Sequence, residues 1–188
     1  MRNARFMAVF ACMGSMLVAC SSGAGSATDQ PPSQHVEGDQ AVAYSDVADL
    51  TAASTAVILA TATNAQVLEA ADADGTSGLK STITTLNVTK VVSGTFPAGT
   101  VKLRELGDVR SAANDVSPFL KSGTQYVMFI VPFHFSDGKD TGEYVLTDGS
   151  TLYTSDGSQA TFAGAGTNRL PAKLALATLE SEVSSAQK

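Results

Sequence analysis

The sequence predicts a mainly β fold: a small antiparallel barrel with a short N-terminal helix and a C-terminal helix. Three observations carry this. From residue 55 onward, stretches rich in Thr, Val and Ile alternate apolar with polar residues, the period of a half-buried strand. Asp-Gly pairs stand at 137–138, 148–149 and 156–157, and Asp-Gly favours tight hairpin turns because glycine accepts positive φ. Helical spacing of apolar residues is confined to the two ends of this region.

The elements follow in order. AYSDVADLTAAS reads as a short helix, with Ser45 or Asp46 as its cap and Val47 and Leu50 three apart on the inner side. TAVILATAT (55–63) is β-branched and alternating, a strand, and NAQVLEAADADGTSG after it reads as a connection ending in turn residues. LKSTITTLNVTKVVSG (79–94) is a long strand whose apolar phase shifts. Leu86 and Val88 share one face while Ile83 and Val91 fall on the other, which calls for a bulge or strong coiling. FPAGT is a turn, and TVKLREL (100–106) puts Val101 and Leu103 inward with Lys102 and Arg104 outward.

A longer loop comes next, with Val116, Phe119 and Leu120 expected to pin it to the core. TQYVMFIVPF (124–133) is apolar on both faces, the mark of the most buried strand, and Pro132 marks where its pairing ends. HFSDGKDTG, EYVLT, TLYTS and QATFAG, separated by the Asp-Gly turns, read as an antiparallel meander. In the tail NRLPAKLALATLESEVSSAQK, Pro171 suits the first turn of a helix whose packing stripe is Leu176, Leu179 and Val183. About five main strands, one of them long and bent, suit a barrel of the OB type.

Organisation before residue 41 is different. Arg2 and Arg5 precede an uncharged run from Phe6 to Val18, the length of a signal-peptide core and too short to span a bilayer. It ends in Leu17-Val18-Ala19-Cys20, which resembles the bacterial lipobox. That resemblance implies a signal peptide over 1–19, acylation of the Cys20 thiol, cleavage before Cys20 and anchorage to a membrane from the extracytoplasmic side. Cys12 leaves with the signal, so the mature chain has one cysteine and no internal disulfide. Residues 20–40 are the lipidated cysteine and a linker of Ser, Gly, Pro, Gln and acids with too little apolar surface to order itself. A coil of this length reaches roughly 25 Å. Residues 41–188 form one domain.

The order of the strands from ADLTAASTAVILATAT through VTKVVSGTFPAGTVKL and LKSGTQYVMFIVPF to GEYVLT resembles the OB-fold barrel of netrin-like and tissue-inhibitor-of-metalloproteinase-like domains. It resembles more closely the bacterial lipoproteins of that shape. Val88, Val91, Gly94, Pro97, Gly99 and Val101, with Gly123, Tyr126 and Phe129, carry the likeness, over about residues 42–165. It implies a fold more than a function. The inhibitors chelate a protease zinc through a free N-terminal cysteine held by disulfides. Here Cys20 is expected to be acylated and lies a linker away from the barrel, so that route does not transfer.

Charge and composition narrow the functions. The formal charge is −6, and −8 once Arg2 and Arg5 leave with the signal. Nucleic acid, which needs basic patches, is an unsuitable partner. Asp72-Ala-Asp74 opens like a calcium loop but lacks glycine at position 6 and glutamate at position 12, so it reads as a surface turn. Asp137, Asp140, Asp148 and Asp156 read as turn formers, with a weak Ca²⁺ site between loops as the alternative. His35 lies in the linker. His134 stands alone in the folded region, without the partners of a zinc site and without a G-x-S-x-G. GAGTNR lacks the following Lys-Ser/Thr of a P-loop. No metal or cofactor is expected.

Lys102, Arg104 and Arg110 are the candidate strip for an anionic ligand, with His134 a further candidate. The favoured reading is a lipid-anchored binding module of the cell envelope, its partner an envelope protein or a small anionic ligand. The alternatives are a small envelope hydrolase using His134 and a structural accessory subunit.

Overall fold

The computed structural model describes residues 43–97, 99–109, 119–149, 151–164 and 169–186, all within the unit Ser33–Lys188. The expected signal peptide, Cys20, the expected linker with His35, Arg110 and Val116 lie outside the described residues. The elements are α1 (Val47–Ala53), β1 (Ala56–Ala70), β2 (Lys80–Gly94), β3 (Thr100–Leu106), β4 (Gln125–His134), β5 (Asp140–Leu146), β6 (Leu152–Ser155), β7 (Gln159–Phe162), β8 (Lys173–Ala175) and α2 (Leu176–Ala186).

Five strands close into a ring, β1–β2–β3–β5–β4 and back to β1. All of these contacts are antiparallel except β3–β5, which is parallel and short, with Lys102 across from Glu143 and Leu103 from Tyr144. The molecule is thus the mainly β, OB-like barrel with a helix at each end that the sequence predicts. The final strands depart from a meander. β6 skips back to pair with β4, and β7 and β8 extend the sheet outward from there.

The phase shift in β2 has a local cause. Two register breaks fall opposite Val57/Ile58 and Leu59/Ala60, leaving Val92 and Thr89 as the extra residues on β2. The Thr89 bulge returns Val91 to a position across from Ile58, the face that Val88 shares with Ala60. Thr89 donates its hydroxyl to the Leu59 carbonyl at 2.9 Å and so ties the bulge down.

β1 is longer than its sequence pattern suggests. The connection expected from residue 64 is strand through Ala70, after a third break between Ala62 and Gln66. Thr63 bridges that break: its hydroxyl donates to the Thr85 carbonyl at 2.8 Å and accepts from the Ala65 amide at 3.2 Å. The irregularity hides the period of two that would have revealed the second half. At the other end, Pro171 does not open a helix. Lys173–Ala175 first pairs with β7 as β8, and α2 starts at Leu176.

Two cores result. Ala56, Ile58, Ala60, Leu86, Leu103, Met128 and Ile130 fill the barrel. Val57, Val127, Phe129 and Tyr153, on the outer face, are covered by Val47 and Leu50 of α1 and Leu176, Leu179 and Val183 of α2. Asp46 caps α1 by accepting the Asp49 amide at 2.8 Å. β4 therefore buries both faces, as its unbroken apolar run requires. Its pairing to β1 ends at Ile130, and its register with β5 breaks just after Pro132. Leu120 is in the barrel core as expected, while Phe119 is half-buried.

Candidate functional site

In barrels of this type the ligand-bearing surface is the outer face of β2 and β3 with the β1–β2 and β4–β5 loops. The helices here cover the outer face of β1 and β4 and leave that of β3 to other contacts. Strand register arranges the face in rows. Val67, Ile83 and Arg104 lie side by side on β1, β2 and β3, and in the next row Glu69, Ser81 and Leu106 do the same.

Arg104 organises this surface. It points away from the barrel interior, as the alternation of β3 predicts, but it does not reach solvent. Only 5% of it is exposed. Its Nε donates to Glu143 Oε2 at 2.7 Å, Nη2 to Glu69 Oε2 at 2.9 Å and Nη1 to the Ala70 carbonyl at 2.9 Å. The guanidinium also lies 4.8 Å from the ring centre of Phe133 and 5.3 Å from that of Phe135, and the two rings meet edge to face. A planar cation that stacks and forks at once suits arginine and not lysine. Arg104 thus pins the start of the β1–β2 loop to the start of the β4–β5 loop across the outer face.

The sequence names Lys102, Arg104 and Arg110 as a strip for an anionic ligand, and the structure buries Arg104. Arg104 has its charge met by two carboxylates and does not share a free basic surface with Lys102. Lys102 is exposed, one row along, between Thr85 of β2 and Glu143 of β5. Arg110 lies outside the described residues. His134 is exposed at the end of β4, across from Asp140. Among the described residues of this set, Arg104 is buried while Lys102 and His134 are exposed.

Sequence reasoning missed Glu105. It continues the inward alternation of Val101 and Leu103, and this signal was available. The carboxyl sits inside the barrel wall, 5% exposed, with Thr84 Oγ1 3.4 Å from Oε2 and no hydrogen-bond partner for Oε1. Burial pushes it up to about 8, against the opposing influence of the Leu120 amide and the Thr84 hydroxyl. Glu105 is accordingly a neutral acid at pH 7. Gln66 extends this polar end of the core, donating to Thr84 Oγ1 at 3.1 Å and to the Leu120 carbonyl at 3.3 Å.

The aspartate loops act as turns. The Ser77 amide and hydroxyl each donate to Asp72 at 2.8 Å and hold its carboxyl well below the usual carboxylate range. The amides of Gln159 and Ser158, at 2.7 and 2.9 Å, likewise lower the Asp156 carboxyl from its ordinary value. Among the described residues no group of three or more His, Cys, Asp or Glu is placed to hold a metal ion, and no helix is long and apolar enough to cross a membrane. A groove of about 590 Å³ runs beside α1 and α2, lined by Ser45, Asp46, Arg169, Pro171 and Glu182 among others, and Lys102, Arg104 and His134 do not line it.

Comparison of the chain with protein-family models, with curated proteins and with solved structures finds no match.

Proposed function

We propose that this chain is a lipid-anchored, extracytoplasmic binding module of the bacterial cell envelope. The observation that carries the reading is Leu17-Val18-Ala19-Cys20 at the close of an uncharged apolar run. A thiol in that setting resembles the acylated cysteine of bacterial lipoproteins. Acylation also accounts for a mature chain with one cysteine. Several acyl chains on one residue supply the strength that stable anchoring needs. The polar stretch that follows serves as a tether between membrane and barrel.

Binding, and not catalysis, is the function favoured for the barrel. An OB-like barrel presents an outer sheet face and adjoining loops to its ligands. The resemblance to netrin-like lipoprotein barrels, read from the turn and apolar positions, supports the same assignment.

Mass spectrometry of the N-terminal peptide, from the full chain expressed in a bacterial host, tests the anchor. The expected product begins at Cys20 and carries diacylglycerol. Cys20→Ala is expected to accumulate uncleaved. A mature chain with an unmodified Cys20, or cleaved elsewhere, overturns the reading.

A further inference from the structure

The large apolar side chains left exposed in the described part of the fold converge on one end of the barrel. Val67 is 57% exposed, Leu106 41% and Val109 36%. Val67 and Leu106 stand on the strands flanking β2, on the same outer face and one row apart. Strand spacing of about 4.8 Å and a rise of about 3.4 Å per residue put them roughly 12 Å apart. Val109 follows Leu106 by three residues at the same end of β3, its amide donating to Thr82 Oγ1 at 3.1 Å on the inward face of β2.

Val67 and Leu106 occupy two opposite corners of a rectangle, and Glu69 and Arg104 the other two. The Arg104–Glu69 bridge crosses the centre over Ile83 and Ser81, both buried. The centre is therefore electrically satisfied, and the apolar corners stand beside it. Val67 and Leu106 are thus two exposed apolar side chains on one sheet face with a closed ion pair between them.

Charge at this end selects the occupant. Asp72 and Asp74 lie in the β1–β2 loop that follows Glu69 and Ala70 at this end of the sheet, and Asp72 is held ionised by Ser77. Glu69 keeps 43% of its side chain exposed beside Arg104. Lys80, across from Ala70, adds one positive charge. An acidic border on a chain of net charge −6 opposes an anionic membrane surface. It also opposes a second copy meeting this patch face to face, because each copy brings the same aspartates.

We infer that this patch docks a cationic, apolar-bearing segment of another envelope protein, with apolar side chains against Val67 and Leu106 and lysines or arginines toward Asp72 and Asp74. The inference rests on the binding-module reading and names its partner class.

The test is in-cell photocrosslinking of the full chain, with a benzoylphenylalanine probe replacing Val67 in one strain and Lys102 in another. The expected result is an adduct from the Val67 probe whose crosslinked peptide carries excess lysine or arginine among apolar residues. Adding Leu106→Ser is expected to cut its yield at least tenfold, and Asp72→Asn with Asp74→Asn several-fold. Adducts to lipid, to a second copy or to an acidic peptide overturn the inference, as does no adduct at Val67. An adduct at Lys102 but not at Val67 overturns it while leaving the binding module standing.

Discussion

Arg104 and Glu143 meet beside the parallel β3–β5 contact that closes the barrel, with Nε to Oε2 at 2.7 Å and each side chain about 5% exposed. A buried pair of this kind gains little over well-packed apolar residues, but removing one partner strands the other. Glu143→Ala is expected to cost about 3 kcal/mol, the lower end of the usual range, because Glu69 still faces Arg104. Arg104→Ala also loses the stack on Phe133 and Phe135 and should cost about 4 kcal/mol. Urea denaturation at neutral pH reads both. A loss below about 1 kcal/mol in Arg104→Ala would show that the loops close without it.

Glu105 makes stability fall as pH rises. Its carboxyl titrates at about 8 in the folded chain and at its ordinary value of 4.5 when unfolded. Between those values the folded state holds a proton that the unfolded state has lost, so raising the pH favours unfolding. The contribution is fully present below about pH 4.5 and is lost by the time the pH passes 8, amounting to a few kcal/mol. Glu105→Gln removes this slope while keeping shape and polarity. Melting temperatures from pH 5 to pH 9 should converge at the acid end, with the variant more stable at the alkaline end. Parallel curves would place the titration elsewhere.

Tyr153 buries a hydroxyl without a partner. The residue is 0% exposed, Oη makes no hydrogen bond, and desolvation with the charge of Glu182 pushes the phenol up to about 12. Deleting an unsatisfied buried group relieves its desolvation, about 1 kcal/mol or more. Tyr153→Phe should therefore be neutral or stabilising by up to about 1 kcal/mol. Tyr153→Ala should lose about 3–5 kcal/mol by emptying the core beneath α1 and α2. Denaturation midpoints separate the two, and a destabilised Tyr153→Phe would mean the hydroxyl has found a partner.

Gly94 is required where β2 ends against β1. Its φ is 82°, and a Cβ there would stand 2.3 Å from the Thr55 carbonyl oxygen. Gly94→Ala combines left-handed strain with a backbone clash and is expected to cost on the order of 3 kcal/mol. Gly138, with φ of 76° but open space around its Cβ position, isolates the strain alone. Gly138→Ala should cost about 1 kcal/mol. Thermal melts of the pair test the difference.

Local patterns were legible in the chain. Alternation located β3, a Thr/Val/Ile-rich stretch β2 and an unbroken apolar run β4, the Asp46 cap and Val47/Leu50 spacing located α1, and the phase shift around Val88 and Val91 announced the bulges. These follow from dihedral preference and side-chain facing, which neighbouring residues set among themselves. The parallel β3–β5 contact, the return of β6 to β4 and the β8 strand before α2 join residues far apart in sequence, and no local period encodes them. The same holds for the candidate site. Alternation told that Arg104 faces outward, and it pointed Glu105 inward. What covers an outward side chain is decided by whatever packs over it. Here that is Glu143, Phe133 and Phe135 from other strands and loops, and only the closed barrel brings them within reach of one guanidinium.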